Sequence, residues 1–363
     1  MFDASGQAAA APAQLDGFFP KERAAQDAYV IRLLQRCGLL TLEDIFNNGL
    51  HLQPYETRNR NISVRIQSKL AVHVKLPSNA GSRLAIQEEK LVLDHLALQL
   101  AAPERQYVPL VRSYDVETGA LITGFLEGTC LGRDAGLLTT MPVPAIEQLG
   151  RLLRAAHASS FTTRKGGREL PFASGLLRPA LSYVHNASAA TMQLLRLVQN
   201  SAALRQSIRR LEEGWRPDGL IHGDMKLENL LLLKDNDTLA LLDWEYARQG
   251  DPRWDIGSLI GELIYLWVAQ TVNRDLGGGD TNPLALPRLR LLAGALIGAY
   301  ARANAAELMR ECADYTAARL LQSVFEVHKF RTEIDLTGVR ALQAAENIAG
   351  DPAMFEQFIS LAK

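Results

Sequence analysis

This chain has no surplus of basic residues, no cysteine pairs spaced for disulfides or metal, and no long apolar run, and each absence removes a class of function. Lys and Arg number 39 against 40 Asp and Glu in 363 residues, so no excess cation exists to neutralise a nucleic-acid backbone or an anionic membrane surface. Nucleic-acid binding is therefore disfavoured as a primary role. The three cysteines, Cys37, Cys130 and Cys312, lie far apart, form no C-x-x-C and cannot all pair within one chain. Reduced thiols and a cytoplasmic location are the expectation. The best apolar run, Leu291 to Tyr300, is about half the ~20 residues that span a bilayer, so it is read as a buried core helix and no membrane insertion is expected. The opening MFDASGQAAAAPAQ lacks the positive n-region and apolar core of a signal peptide and reads as a disordered lead-in over residues 1–20. Neither an internal repeat nor a G-x-G-x-x-G occurs.

What is present is organised. Apolar residues make up 47% of the chain, enough for a real core. From Glu22 the pattern ERAAQDAYVIRLLQRCG puts Ala25, Tyr29, Ile31, Leu33 and Leu34 near one helical face, and Thr41 then caps a second short helix with Glu43 and Asp44 in its first turn. The segments NISVRI and KLAVHVKL predict a hairpin. RLAIQEEKLVLDHLALQL has helical period, and YVPLVRSYDVETGALITGFLEG returns to strands joined at Glu117–Gly119. Beyond Gly128 helices dominate, apart from a strand-turn-strand stretch over 221–243, and GGGD at 277–280 reads as a helix connection. The expected organisation is α+β: a helical extension over 21–50, a β-rich lobe over 51–128 and a helical lobe over 129–363.

The chemistry concentrates in IHGDMKLENLLLLKDNDTLALLDWE. His222-x-Asp224 followed by Asn229 is the H-x-D-x-x-x-x-N spacing of phosphoryl transfer, in which a carboxylate takes the acceptor's proton while an amide oxygen five residues on reaches a metal. LLLL, KDNDT and LALLD then predict a hairpin that returns Asp243 to the same place, and oxygen ligands of this kind suit magnesium. Trp244 and Glu245 stand where the next two residues of the kinase D-F-G would be.

HGDMKLEN together with DWEYARQGDPRWDIGSLI resembles the aminoglycoside phosphotransferase and choline kinase family over residues 50–330 or so. The resemblance implies a bilobal protein-kinase-like fold and use of ATP and Mg²⁺. It implies Asp224 as base, Asn229 and Asp243 as metal ligands, His222 as a structural residue of the loop, and Asp255 as a buried brace; Asp255 also reads as a helix N-cap. Upstream, Lys75 on LAVHVKLP fits the nucleotide-positioning lysine. Glu89 is its expected partner, with neighbouring Glu88 a solvated charge. Asn61, Arg58 and Arg60 in ETRNRNISV stand where the family covers the phosphates, although a charged solvated turn fits that segment equally. Residues 121–128 would carry the adenine hinge through main-chain groups.

Lys226 departs from the histidine common in small-molecule members and matches the D-x-K-x-x-N of Ser/Thr protein kinases. It is expected to neutralise the transferring group. Glu307, Glu311 and Asp314 are candidate acceptor-binding acids, with a solvated helix face as the alternative. His157 reads as a core histidine. The expected acceptor is a hydroxyl-bearing small molecule; the alternatives are a peptide Ser/Thr in natural-product maturation, with a protein partner in that pathway, and a kinase-shaped binding module of little activity.

Overall fold

The computed structural model describes residues 22–56, 60–66, 70–161, 169–234, 238–278 and 283–360. The chain divides into a sheet unit, residues 1–98 with 109–126, and a helical unit, residues 99–108 with 127–363.

In the sheet unit, β1 (Leu50–Glu56), β2 (Arg60–Ile66), β3 (Leu70–Leu76), β4 (Val111–Asp115) and β5 (Ala120–Gly124) form one antiparallel sheet in the order β1-β2-β3-β5-β4. β2 and β3 are the expected hairpin. β1, on the N-terminal side of the turn at ETRNRNISV, carries Pro54; an edge strand tolerates proline since one side of its ladder is unused. Val30, Leu33 and Leu34 of helix Arg23–Arg36 share a core with Ile62, Val64, Val72 and Val74. The supposed separate extension over 21–50 is thus part of this unit, and Val30, outside the expected face, is among its buried anchors. Helix Leu42–Asn48 is fixed by a capping box in which Asp44 N–H donates to Thr41 Oγ1 at 3.1 Å and Thr41 N–H to Asp44 Oδ2 at 3.0 Å. The long helix Ala80–Gln99 buries Ile86, Val92, Leu93 and Leu96.

The helical unit holds two small antiparallel sheets. β6 (Gly128–Cys130) pairs with β8 (Leu230–Leu233), which pairs with β9 (Leu239–Leu241); β7 (Gly219–Ile221) pairs with β10 (Arg248–Gly250). Gly128 pairs within this unit, whose second stretch starts at Glu127. Residues 99–108 join it too, through the Leu241 N–H bond to the Tyr107 carbonyl. Behind the sheets, helix Arg253–Asp275 crosses helix Ala313–His328 closely: a Cβ on Gly257 would stand 2.5 Å from Tyr315 Cβ. Helix Leu286–Ala301 buries Leu289, Leu292, Ala293, Leu296 and Ile297, the core role expected of that apolar run. No helix among the described residues is long and apolar enough to cross a membrane.

Candidate active site

Alternation along β3 sends Val72 and Val74 to one face of the sheet and Lys75 to the other. There Lys75 Nζ meets Glu89 Oε2 at 2.7 Å, with both side chains more than nine-tenths buried. Two charges removed from water hold together only when geometry is close, and loss of either costs about 3–5 kcal/mol. Glu88 is buried as well, at 6% exposure. The expectation of a solvated Glu88 is corrected: helix Ala80–Gln99 turns both neighbouring acids inward. Asn61 lies opposite Lys75 in the β2–β3 register and its Oδ1 is 3.3 Å from His73 Nε2. Arg60 pairs with Leu76. Arg58 lies outside the described residues.

In the helical unit the loop after β7 carries the expected constellation. Gly223 has φ +81°, and a Cβ there would fall 2.6 Å from the Tyr246 carbonyl, so the turn demands glycine. It delivers Asp224. Lys226 Nζ lies 2.6 Å from Asp224 Oδ2, and Asn229 Nδ2 donates to the Asp224 carbonyl at 2.8 Å and to Oδ2 at 3.3 Å. Asp224 Oδ1 accepts no hydrogen bond among the described residues. Burial pushes the Lys226 ammonium down, but Asp224, with Asp243 and Glu326 behind it, more than offsets this, so Lys226 stays charged above its ordinary range.

Asn229 and Asp243 are joined through the β8–β9 hairpin, where Leu242 N–H donates to the Asn229 carbonyl at 2.9 Å. Asp243 has left-handed backbone, φ 61° and ψ 64°, and leads into a 3-10 turn over Trp244–Tyr246. That turn brings the Asp243 and Glu245 carboxylates within 4.8 Å of each other. The sequence reading gave Glu245 no ligand role; its signal was an acid two residues after Asp243.

The loop is clamped from behind. Asp255, fully buried, accepts His222 N–H at 2.6 Å and Gly223 N–H at 3.0 Å, while His157 Nε2 lies 3.0 Å away. Burial raises the Asp255 carboxyl, but the His157 hydrogen bond and charge, His222 and the Gly223 N–H together bring it below the usual carboxylate range. His222 Nε2 bonds the Leu242 carbonyl at 2.8 Å, and its Nδ1 accepts Asp224 N–H at 3.3 Å. Those partners tie loop to hairpin. His157 is more than a core histidine: its Nδ1 also meets Tyr300 OH at 3.0 Å.

Two of the three acidic acceptor candidates pair with arginines away from the Asp224 loop. Asp314 takes Arg210 at 2.6 Å and Ser207 Oγ at 2.6 Å, Glu311 pairs with Arg253 at 3.7 Å, and Glu307 is exposed. None bonds the Asp224 loop. Asp314 and Glu311 instead hold helices together: Arg253 is also bound to Asp251, which accepts Tyr315 OH at 2.7 Å. Sequence reasoning missed this network and the Arg319 bridge between Glu262 and Glu326, because no local pattern announces contacts across such separations.

Residues 56–303 match the profile of the phosphotransferase enzyme family. No curated protein matches the sequence. Among solved structures, an ethanolamine kinase from Plasmodium vivax is similar with a TM-score of 0.54 at 16% identity, covering 90% of this chain and 89% of that one. A putative aminoglycoside phosphotransferase from Ralstonia eutropha (TM-score 0.49, 17% identity, 93% and 99% covered) and a choline kinase from Streptococcus pneumoniae (0.45, 16%, 89% and 99%) are also similar. The ethanolamine kinase carries the fold: α+β and protein-kinase-like.

Proposed function

The chain belongs to the phosphotransferase enzyme family, and from that premise we propose that it moves the γ-phosphoryl group of ATP to a hydroxyl of a small molecule, with Asp224 as base. The observation that carries this is the state of the Asp224 carboxylate: Oδ2 is held by Lys226 and Asn229, the loop beneath is clamped to Asp255, and Oδ1 is left to accept a proton. A carboxylate so fixed can orient an incoming hydroxyl and take its proton as the new P–O bond forms. Lys226 keeps its charge beside the reacting oxygen, where negative charge accumulates. Lys75, held by Glu89, orients the nucleotide phosphates.

The donor set fits Mg²⁺. Asn229 turns its Nδ2 toward Asp224, which leaves its amide oxygen as a ligand, and Asp243 with Glu245 adds hard carboxylate oxygens. Asn229 and Asp243 would hold the ion, which when bound neutralises phosphate charge. The unpaired cysteines fit the cytoplasmic setting we infer. The 2.6 Å Lys226–Asp224 contact, in a D-x-K-x-x-N frame, supports a peptide hydroxyl as the second reading.

The test is an acceptor screen with labelled ATP over aminoglycosides, amino alcohols and Ser/Thr peptides. Asp224→Asn should cut transfer by ~10²- to 10⁴-fold, the usual share of general-base catalysis, and leave ATP affinity within a few-fold. Transfer that survives at full rate refutes the base assignment.

A further inference from the structure

Most buried charges of the helical unit are closely matched. Asp251 takes Arg253 at 2.6 Å, and Glu262 meets Arg319 at 2.9 Å. Arg248, at the start of β10, is the exception. It is only 8% exposed, yet among the described residues it makes one hydrogen bond, from Nη1 to the Tyr246 carbonyl at 3.2 Å. Its buried Nε makes none. The one carboxylate paired with it is Glu169, whose Oε2 stands 3.4 Å from Nε on a half-exposed side chain. A guanidinium offers five N–H donors, and a desolvated cation needs a closely bonded anion. One carbonyl and one loosely placed carboxylate do not complete that requirement.

The place of this cation matters. A Cβ built on Gly223 would fall 2.6 Å from Arg248 Nη1, so the guanidinium lies directly against the residue that precedes Asp224. Neighbouring Cα atoms are about 3.8 Å apart. Arg248 and the Asp224 base are thus set on one turn, the guanidinium packed against Gly223 and the carboxylate on the next residue. The planar fork of arginine matches carboxylate and phosphate oxygens in pairs.

We propose that Arg248 determines acceptor specificity by binding an anionic group, carboxylate or phosphate, of a small hydroxylated acid, and that Glu169 holds this position until the acceptor displaces it. The inference rests on the reading of Asp224 as the acceptor-side base.

Three pairs of probes isolate the anion: glycerate against glycerol, serine against ethanolamine, and glycerol 3-phosphate against glycerol. Binding is measured by calorimetry and transfer with labelled ATP, for wild type, Arg248→Met, Arg248→Lys and Glu169→Gln. Wild type should prefer at least one acid to its neutral partner; the responding pair tells carboxylate from phosphate. Arg248→Met should weaken that acid about 10- to 100-fold, the range for a bond between charged groups, and leave the neutral partner unchanged. Arg248→Lys should lose less, and Glu169→Gln should tighten the acid. Far-UV circular dichroism checks folding; if the Met variant does not fold, the Lys and Gln variants decide. No acid preference in wild type, equal weakening of acid and neutral probes, or no gain from Glu169→Gln overturns the proposal. An Arg248-dependent preference without any transfer would keep the anion site and sink the phosphotransferase reading.

Discussion

Replacing Asp255 with Asn removes one charge at the point where the Asp224 loop meets the helices. The carboxylate accepts bonds from three groups, His222 N–H at 2.6 Å, Gly223 N–H at 3.0 Å and His157 Nε2 at 3.0 Å. An asparagine supplies one oxygen and turns its NH₂ toward a donor on the other side. At least one bond is then lost, a buried donor is orphaned, and the remaining bonds lose their charge assistance. A hydrogen bond to a charged group is worth about 1.5–3 kcal/mol and a stranded buried donor about 1–3 kcal/mol, so a loss of about 3–5 kcal/mol is expected, as for a broken buried pair. In a unit of this size each kcal/mol moves the melting temperature by about 2–4 °C. Circular dichroism should therefore show a fall of roughly 10 °C at neutral pH. The folded carboxyl lies below its usual range, so its contribution is present above the unfolded value of about 3.9 and is lost as pH falls through the lower folded value. The gap between wild type and variant should be full at neutral pH and close only in acid. A fall of less than about 2 °C, or a gap unchanged down to strongly acid pH, would refute the clamp.

Three further outcomes follow from the same geometry. Lys75→Ala and Glu89→Ala should each weaken nucleotide binding, and the double mutant should lose little more than either, because the 2.7 Å pair acts as one unit; additive losses in the cycle exclude Glu89 as the partner. Asp243→Asn should abolish most of the magnesium dependence of ATP binding by calorimetry, and an unchanged dependence removes Asp243 from the ligand set. Gly223→Ala should lower transfer and melting temperature together, since the added carbon meets the Tyr246 carbonyl at 2.6 Å in a turn of positive φ; a wild-type melting curve would show that the turn is not tightly packed.

The sequence was most informative where function is written in short spacing. Asp224, Asn229 and Asp243 are legible because one loop and one hairpin must deliver them, and both leave local marks: the HGD turn and the KDNDT break between leucine runs. Glu89 was likewise reachable by counting along a helix, yet the same counting misplaced Glu88, whose burial depends on what surrounds that helix. Pro54 weakens the strand signal of β1 without forbidding an edge strand. Arg248 and Arg319 left no trace, since a charged residue becomes notable only once its surroundings are known to be dry. Asp314 shows the opposite limit: an acid on a helix looked available, and its pairing with Arg210 left no mark in the sequence.

The left-handed backbone at Asp243 has a consequence beyond the reaction. An L-residue held at φ 61°, ψ 64° costs about 1 kcal/mol relative to the usual right-handed region, whereas glycine adopts it freely and asparagine with less difficulty than most. On the proposed role of Asp243, selection for thermal robustness and selection for turnover would pull this position in opposite directions. On that role, a lineage released from its chemistry would relieve the backbone by exchanging the aspartate for glycine, so a glycine at this one turn would mark lapsed descendants.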